Sequence, residues 1–127
     1  MIAVDTSALM AIIFDEKPAD ACIAALESES NILISAGTVA EAFVVATRRG
    51  VAAEVEALIG RLGFEIVNVT KTTAVAAGNA YQKWGKGIHP AALNFGDCFA
   101  YALAKEYSCP LLYIGNDFSR TDIRSVL

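Results

Sequence analysis

The sequence predicts an α/β fold, a three-layer sandwich with a central, mainly parallel sheet between two layers of helices. Two features predict it. Short apolar runs alternate with longer stretches of helical period along the whole 127-residue chain. Strands separated by helices need crossover connections, which make neighbouring strands parallel and bury both sheet faces. In addition, four acidic residues, Asp5, Glu41, Asp97 and Asp117, recur where an apolar run ends or a helix begins. The carboxyl ends of parallel strands form the ligand-binding side of an open α/β sheet, so scattered acids can converge there.

The elements follow in order. Residues 1–4 read as a first buried strand, and residues 7–14 as a short apolar helix with Thr6 or Ser7 available to cap it. Pro18 suits the first turn of a second helix running to about residue 28. Residues 32–34 form a strand, and 36–49 a helix ended by Gly50. Residues 52–62 are helical with Gly63 as the stop, and 64–69 make the third strand. A helix over 72–84 leads into the Gly85-Lys86-Gly87 loop. A helix over 95–107, a strand over 111–114, a short turn and a last extended piece complete the chain.

Length and composition fit one domain over residues 1–127, with no internal repeat and no low-complexity linker. The chain is 55% hydrophobic with a mean hydropathy of +0.46, enough apolar mass for a substantial core. Asp5, Asp15 and Glu16 interrupt the only N-terminal run that resembles a membrane span or leader, so an intracellular, cytoplasmic protein with no membrane partner is expected. Cys22, Cys98 and Cys109 are odd in number, lack CxxC spacing and sit among apolar neighbours, which reads as reduced, buried thiols. The single histidine, His89, cannot supply a zinc ligand set, and with Pro90 it reads as a surface loop residue.

Ten basic residues stand against fourteen acidic ones, so there is no general basic footprint for nucleic acid. Setting aside the four junction acids leaves ten of each sign. A nucleic-acid substrate is then compatible with the charge, provided metal neutralises the acids. Four carboxylates converging on one edge would repel one another unless a cation lay between them, which points to a divalent metal site.

Each acid also has a plain structural use. Asp5-Thr6-Ser7 can cap a helix, and Thr38-Val39-Ala40-Glu41 has the spacing of a capping box. Asn94-Phe95-Gly96-Asp97 can do likewise, and Asn116-Asp117 is ordinary turn chemistry. The metal reading rests on their conjunction. Other chemistry is poorly supported. Gly85-Lys86-Gly87 is no dinucleotide fingerprint, there is no phosphate-binding GxxxxGK[ST], and no serine has a histidine to form a triad. Trp84, Tyr81 and the six phenylalanines read mostly as core at helical spacing, and among them only Trp84, beside the glycine loop, has a place from which to stack on a base.

The stretches Asp5-Thr6-Ser7, Asn94-Phe95-Gly96-Asp97-Cys98-Phe99-Ala100-Tyr101-Ala102-Leu103-Ala104 and Gly115-Asn116-Asp117-Phe118-Ser119-Arg120-Thr121-Asp122 resemble the VapC branch of the PIN-domain ribonucleases. The resemblance covers nearly the whole chain and implies a PIN-like fold. It implies an endoribonuclease toxin of a type II toxin–antitoxin pair, cutting RNA with Mg2+ or Mn2+. Asp5, Glu41, Asp97 and Asp117 match the family's acidic quartet, and Thr6 or Ser7 the small polar position beside the first aspartate. The family often has a lysine where Ile114 stands. It further implies a homodimer and a VapB-type antitoxin whose C-terminal segment wraps the toxin, with DNA reached only through that antitoxin.

On this reading Asp5 and Asp97 are direct metal ligands, while Glu41 and Asp117 hold metal-bound water or a second ion. Thr6 or Ser7 orients a water or a ligand carboxylate. Two other classes stay open: a catalytically quiet PIN-like binding module, and a phosphoacceptor receiver domain. The receiver scheme needs a lysine on a late strand, which residues 111–114 lack.

Overall fold

A computed structural model describes residues 1–127. Ten regular elements follow one another as β1 (Ile2–Val4), α1 (Thr6–Ile13), α2 (Ala19–Glu27), β2 (Ile32–Ser35), α3 (Ala36–Arg49), α4 (Ala52–Arg61), β3 (Glu65–Val67), α5 (Lys71–Trp84), α6 (Phe95–Glu106) and β4 (Leu111–Leu112). A short 3-10 helix, Phe118–Arg120, follows β4. The strands form one sheet in the order β3-β2-β1-β4, and every pair is parallel, with Ile2 opposite Ile32, Ala3 opposite Leu111 and Ile34 opposite Ile66. The last residues continue the sheet: the Leu111 N–H donates to Arg124 O at 2.9 Å, and the Val126 N–H to Leu111 O at 3.1 Å.

The strand alternation sorts the core into two halves, because successive side chains point to opposite faces. Ile2, Val4, Ile32, Ile34 and Leu112 meet Leu9, Cys22, Leu26, Ala42, Ala46, Val55 and Ile59, so α1 to α4 cover one face. Ala3, Leu33, Leu111 and Tyr113 meet Ala77, Ala80 and the buried stripe of α6 on the other. The result is the three-layer sandwich expected. The connection leaving β1 crosses one face towards β2, and the connection entering β4 crosses the opposite face. The crevice at the carboxyl ends of β1 and β4 is therefore the topological switch point, where open α/β sheets hold ligands.

Two glycines set how closely α3 and α6 approach. A Cβ on Gly37 would meet ring carbons of Phe99 at 2.5–2.9 Å, so the ring lies flat on the start of α3. A Cβ on Gly96 would overlap the Glu41 carboxylate, which fills that space instead. The C-terminal segment is pinned by a polar chain: Trp84 Nε1 donates to the Tyr101 hydroxyl at 2.9 Å, which donates to Asp122 Oδ1 at 2.7 Å, and Lys105 Nζ donates to Asp122 Oδ2 at 2.9 Å.

Several local expectations are corrected. The cap of α1 is Asp5, not Thr6 or Ser7. The cap of α3 is Ser35, whose hydroxyl accepts from the Gly37 N–H at 3.1 Å, so the helix starts too early for Thr38 and Glu41 to form a capping box. β3 is shorter than residues 64–69, and its residues are mostly exposed because it lies at the sheet edge. β4 stops at Leu112. His89 is half-buried, stacked edge-on against Trp84 with ring centroids 4.7 Å apart, and its Nδ1 accepts from the Ala91 N–H. Cys22, Cys98 and Cys109 are free and buried, as expected. No helix is long and apolar enough to cross a membrane.

Candidate active site

Asp5 leaves β1 at the switch point and starts α1. Its Oδ2 accepts the Ser7 N–H at 3.0 Å and the Ser7 hydroxyl at 2.6 Å. The carboxylate is 3% exposed, and its other oxygen, Oδ1, is buried without a hydrogen-bond partner. Ser7 Oγ in turn accepts the Ile114 N–H at 3.0 Å, tying the first strand's end to the chain leaving β4, and Asp5 N–H donates to Leu112 O at 3.0 Å. Thr6 Oγ1 donates to Glu41 Oε1 at 2.7 Å. The tripeptide thus locks two of the four acids at once, one through each hydroxyl.

Asp97 lies in the first turn of α6, where Asn94 and Asp97 form a reciprocal capping box. The Asp97 N–H donates to Asn94 Oδ1 at 2.8 Å, and the Asn94 N–H donates to Asp97 Oδ2 at 2.9 Å. The structural use suggested by the sequence is real, and it fixes the carboxylate rather than replacing its other roles. Glu41 comes from the second turn of α3 and sits against Gly96. Asp117 is exposed, precedes the short 3-10 helix and makes no side-chain cap bond.

Electrostatics bring the four together. Asp97 is pushed up to about 7, first by burial, then by the charges of Asp5, Asp117 and Glu41 against the lowering bond from Asn94. Asp5 is pushed up to about 6, again mainly by burial, with Ser7 opposing and Glu41 adding to the rise. Asp97 is the hub, since all three other acids act on it. Neither of the chain's ion pairs, Met1–Glu29 and Lys105–Asp122, reaches this group. The positive end of α6 offsets part of the repulsion.

These residues fit a hard divalent cation. The donors are all oxygens, an orphaned carboxylate oxygen is buried among them, and no basic side chain competes. As the side chains stand, no three histidine, cysteine, aspartate or glutamate groups converge on a common ion position. Mg2+ does not require that, since it keeps several waters and takes one or two carboxylates directly.

Sequence reading placed all six candidate residues near this crevice but missed two supports. Gly96 makes room for Glu41, and the Ile114 N–H holds Ser7. A glycine inside an acidic helix start was the only available sign of the first. Of the two uses open to Trp84, the structure shows core packing: its Nε1 is bonded to Tyr101 and its ring packs against His89.

A family model for the PIN domain matches residues 2–124. A VapC ribonuclease of Mycobacterium bovis is 44% identical over 124 residues, covering 94% of this chain and 89% of the relative. The Mycobacterium tuberculosis ribonuclease VapC30 is 41% identical over 128 residues, covering 98% of each. Among solved structures, Mycobacterium tuberculosis VapC20, described as a sarcin–ricin loop cleaving toxin, superposes with a TM-score of 0.80 at 18% identity, covering 99% and 98% of the two chains. A toxin–antitoxin complex from Klebsiella pneumoniae superposes with a TM-score of 0.70 at 20% identity, covering 96% and 93%. At those identities the two structures speak for the fold, and the sequence relatives and the domain match speak for the family. The chain belongs to the PIN-domain family, in its VapC ribonuclease branch.

Proposed function

We propose that this chain is the endoribonuclease toxin of a type II toxin–antitoxin pair and hydrolyses RNA phosphodiester bonds at the Asp5–Glu41–Asp97–Asp117 crevice with Mg2+ or Mn2+. The observation that carries the metal site is the buried, unpartnered Asp5 Oδ1, together with an Asp97 carboxylate raised first by burial and then by the charges of Asp5, Asp117 and Glu41. Asp5 and Asp97 would hold the ion directly, and Glu41 and Asp117 would hold its waters or a second ion. When bound, the metal supplies positive charge for the phosphate and lowers the pKa of the attacking water. Thr6 and Ser7 act through the carboxylates: Thr6 orients Glu41, and Ser7 fixes Asp5 and joins it to the chain after β4.

The test is cleavage of RNA by purified free protein in Mg2+ or Mn2+, stopped by chelator. Asp5→Asn and Asp97→Asn should each lower the rate by more than about a hundredfold, beyond the range of an outer-shell partner, with the fold intact. Chelator-insensitive cleavage, or full activity in both variants, would overturn the metal reading.

The same acid group suits an antitoxin. A VapB-type C-terminal segment carrying an arginine would pair its planar fork with Asp5, Asp97 and Asp117 and exclude metal and RNA together. Its affinity should fall for Asp97→Asn, by less at high salt. DNA would be engaged only through that antitoxin. A homodimer is supported by α3: Thr38, Ala42 and Ala46 are buried, while Ala40 and the 62%-exposed Val44 leave a second small apolar face outward. Light scattering at tens of micromolar should show a dimer.

A further inference from the structure

Asp117 alone among the four acids has no hydrogen bond to its carboxylate, whereas Ser7, Thr6 and Asn94 hold the other three. It is also exposed, so its place is set by the chain on either side of it. Upstream, the Ile114 N–H is bonded to Ser7. Downstream, Phe118 is 2% exposed against Tyr113, with ring centroids 5.1 Å apart, and the Thr121 hydroxyl donates to Phe118 O at 2.7 Å. Five residues beyond Asp117, Asp122 accepts from the Tyr101 hydroxyl and from Lys105. Asp97, Tyr101 and Lys105 follow one another at intervals of four along α6, so they lie one turn apart down one face of it. Asp117 acts on Asp97 at the head of that face, and Asp122 is bonded to it lower down. The segment 117–122 thus runs along α6 in a fixed register.

Resting on the ribonuclease reading, we propose that Tyr101 is a positioning residue for Asp117: through its bond to Asp122 it keeps the segment 117–122 in register with α6, and so keeps the Asp117 carboxylate turned towards Asp97. The bond is built for direction. Tyr101 is 8% exposed, and its oxygen already accepts the Trp84 Nε1–H at 2.9 Å, which leaves its own proton directed at Asp122 Oδ1 at 2.7 Å. A hydroxyl donating to a carboxylate is among the stronger hydrogen bonds in a protein. The neighbouring pair between Lys105 and Asp122 is different in kind, with side chains 49% and 44% exposed, and water screens most of its worth. The hydroxyl, rather than the ammonium, therefore sets the register.

The experiment uses the full chain and three readouts: Mn2+ affinity without RNA by calorimetry, amide hydrogen exchange over residues 115–122, and RNA cleavage. Tyr101→Phe and Asp122→Ala should each lower Mn2+ affinity and kcat by about 10- to 100-fold, the range for a residue that supports a ligand, with KM little changed. Exchange should quicken in residues 115–122 while the amides of α1 and α6 stay protected. Asp122→Asn, whose amide oxygen still accepts the Tyr101 hydroxyl, should keep most of the affinity and rate, and Lys105→Ala should match the unmodified protein. In an Asp117→Asn background, adding Tyr101→Phe should cost little more, because the group being positioned is already gone. Losses that multiply in that double variant would overturn the proposal. So would a lower melting temperature with Mn2+ affinity and kcat unchanged, which would leave the bond a merely structural one. An unmodified protein that binds Mn2+ but cuts no RNA would remove the ribonuclease reading alone, and the Mn2+ affinities and the double variant would then decide the positioning role. An unmodified protein that binds no Mn2+ would overturn both.

Discussion

Gly96 has no side chain because Glu41 occupies the space where one would lie. Alanine there would improve helix propensity by up to about 1 kcal/mol, yet its methyl group would displace the carboxylate. Gly96→Ala should therefore melt within a few degrees of the unmodified protein while losing more than about tenfold in RNA cleavage, the range expected when a ligand's support is removed. Equal activity would show that Glu41 can act from elsewhere. Thr6 gives a companion test. Thr6→Val keeps the shape and removes the 2.7 Å bond to Glu41, so cleavage should fall about 10- to 100-fold, and Thr6→Ser should restore most of it. The four acids were legible in the sequence because strand ends and helix starts are local patterns. Gly37 and Gly96 were not, because their purpose depends on how closely two helices distant in sequence approach.

At the level of elements, the α6 start carries both stability and chemistry. Asn94→Ala removes the cap on the Asp97 N–H, at a cost of about 1 kcal/mol. The melting temperature should drop by a few degrees, Asn94→Ser should recover most of it, and calorimetry on the two variants checks both. All six helices and all four strands were legible, since Gly50, Pro18 and the apolar periods mark them. What failed was the choice among nearby polar residues. Ser35 outcompetes Thr38 as the cap of α3 because the sheet ends at Ser35 and the helix begins at once. Glu41 is thereby moved a turn deeper, away from capping and towards Thr6. β3 read longer than it is because an edge strand has one partner and its flanks are free to turn away. The use of Trp84 stayed open because its partner Tyr101 lies on a different helix.

Across the whole molecule, the acid group makes stability depend on pH in an unusual direction. The ordinary aspartate value is 3.8, whereas Asp5 stands at about 6 and Asp97 at about 7 in the folded protein. Between about 4 and 7 the folded state holds protons that the unfolded chain has released, so metal-free stability falls as pH rises through that window. A melting series in chelator should show the decline, Asp97→Asn should flatten it, and added Mg2+ should raise the melting temperature more at pH 7.5 than at pH 5. A metal-free curve that rises steadily from pH 4 to 7 would contradict the raised carboxylates. One further consequence lies in the bond from the Ile114 N–H to Ser7 Oγ, which spans 107 residues of sequence, and in the seat of β1 between β2 and β4. During synthesis, the nascent chain carries Asp5, Glu41 and Asp97 long before the strand that completes their crevice exists. A polypeptide halted before residue 111 lacks β4, Asp117 and the brace on Ser7, so the crevice is put together only when the last part of the chain has been made.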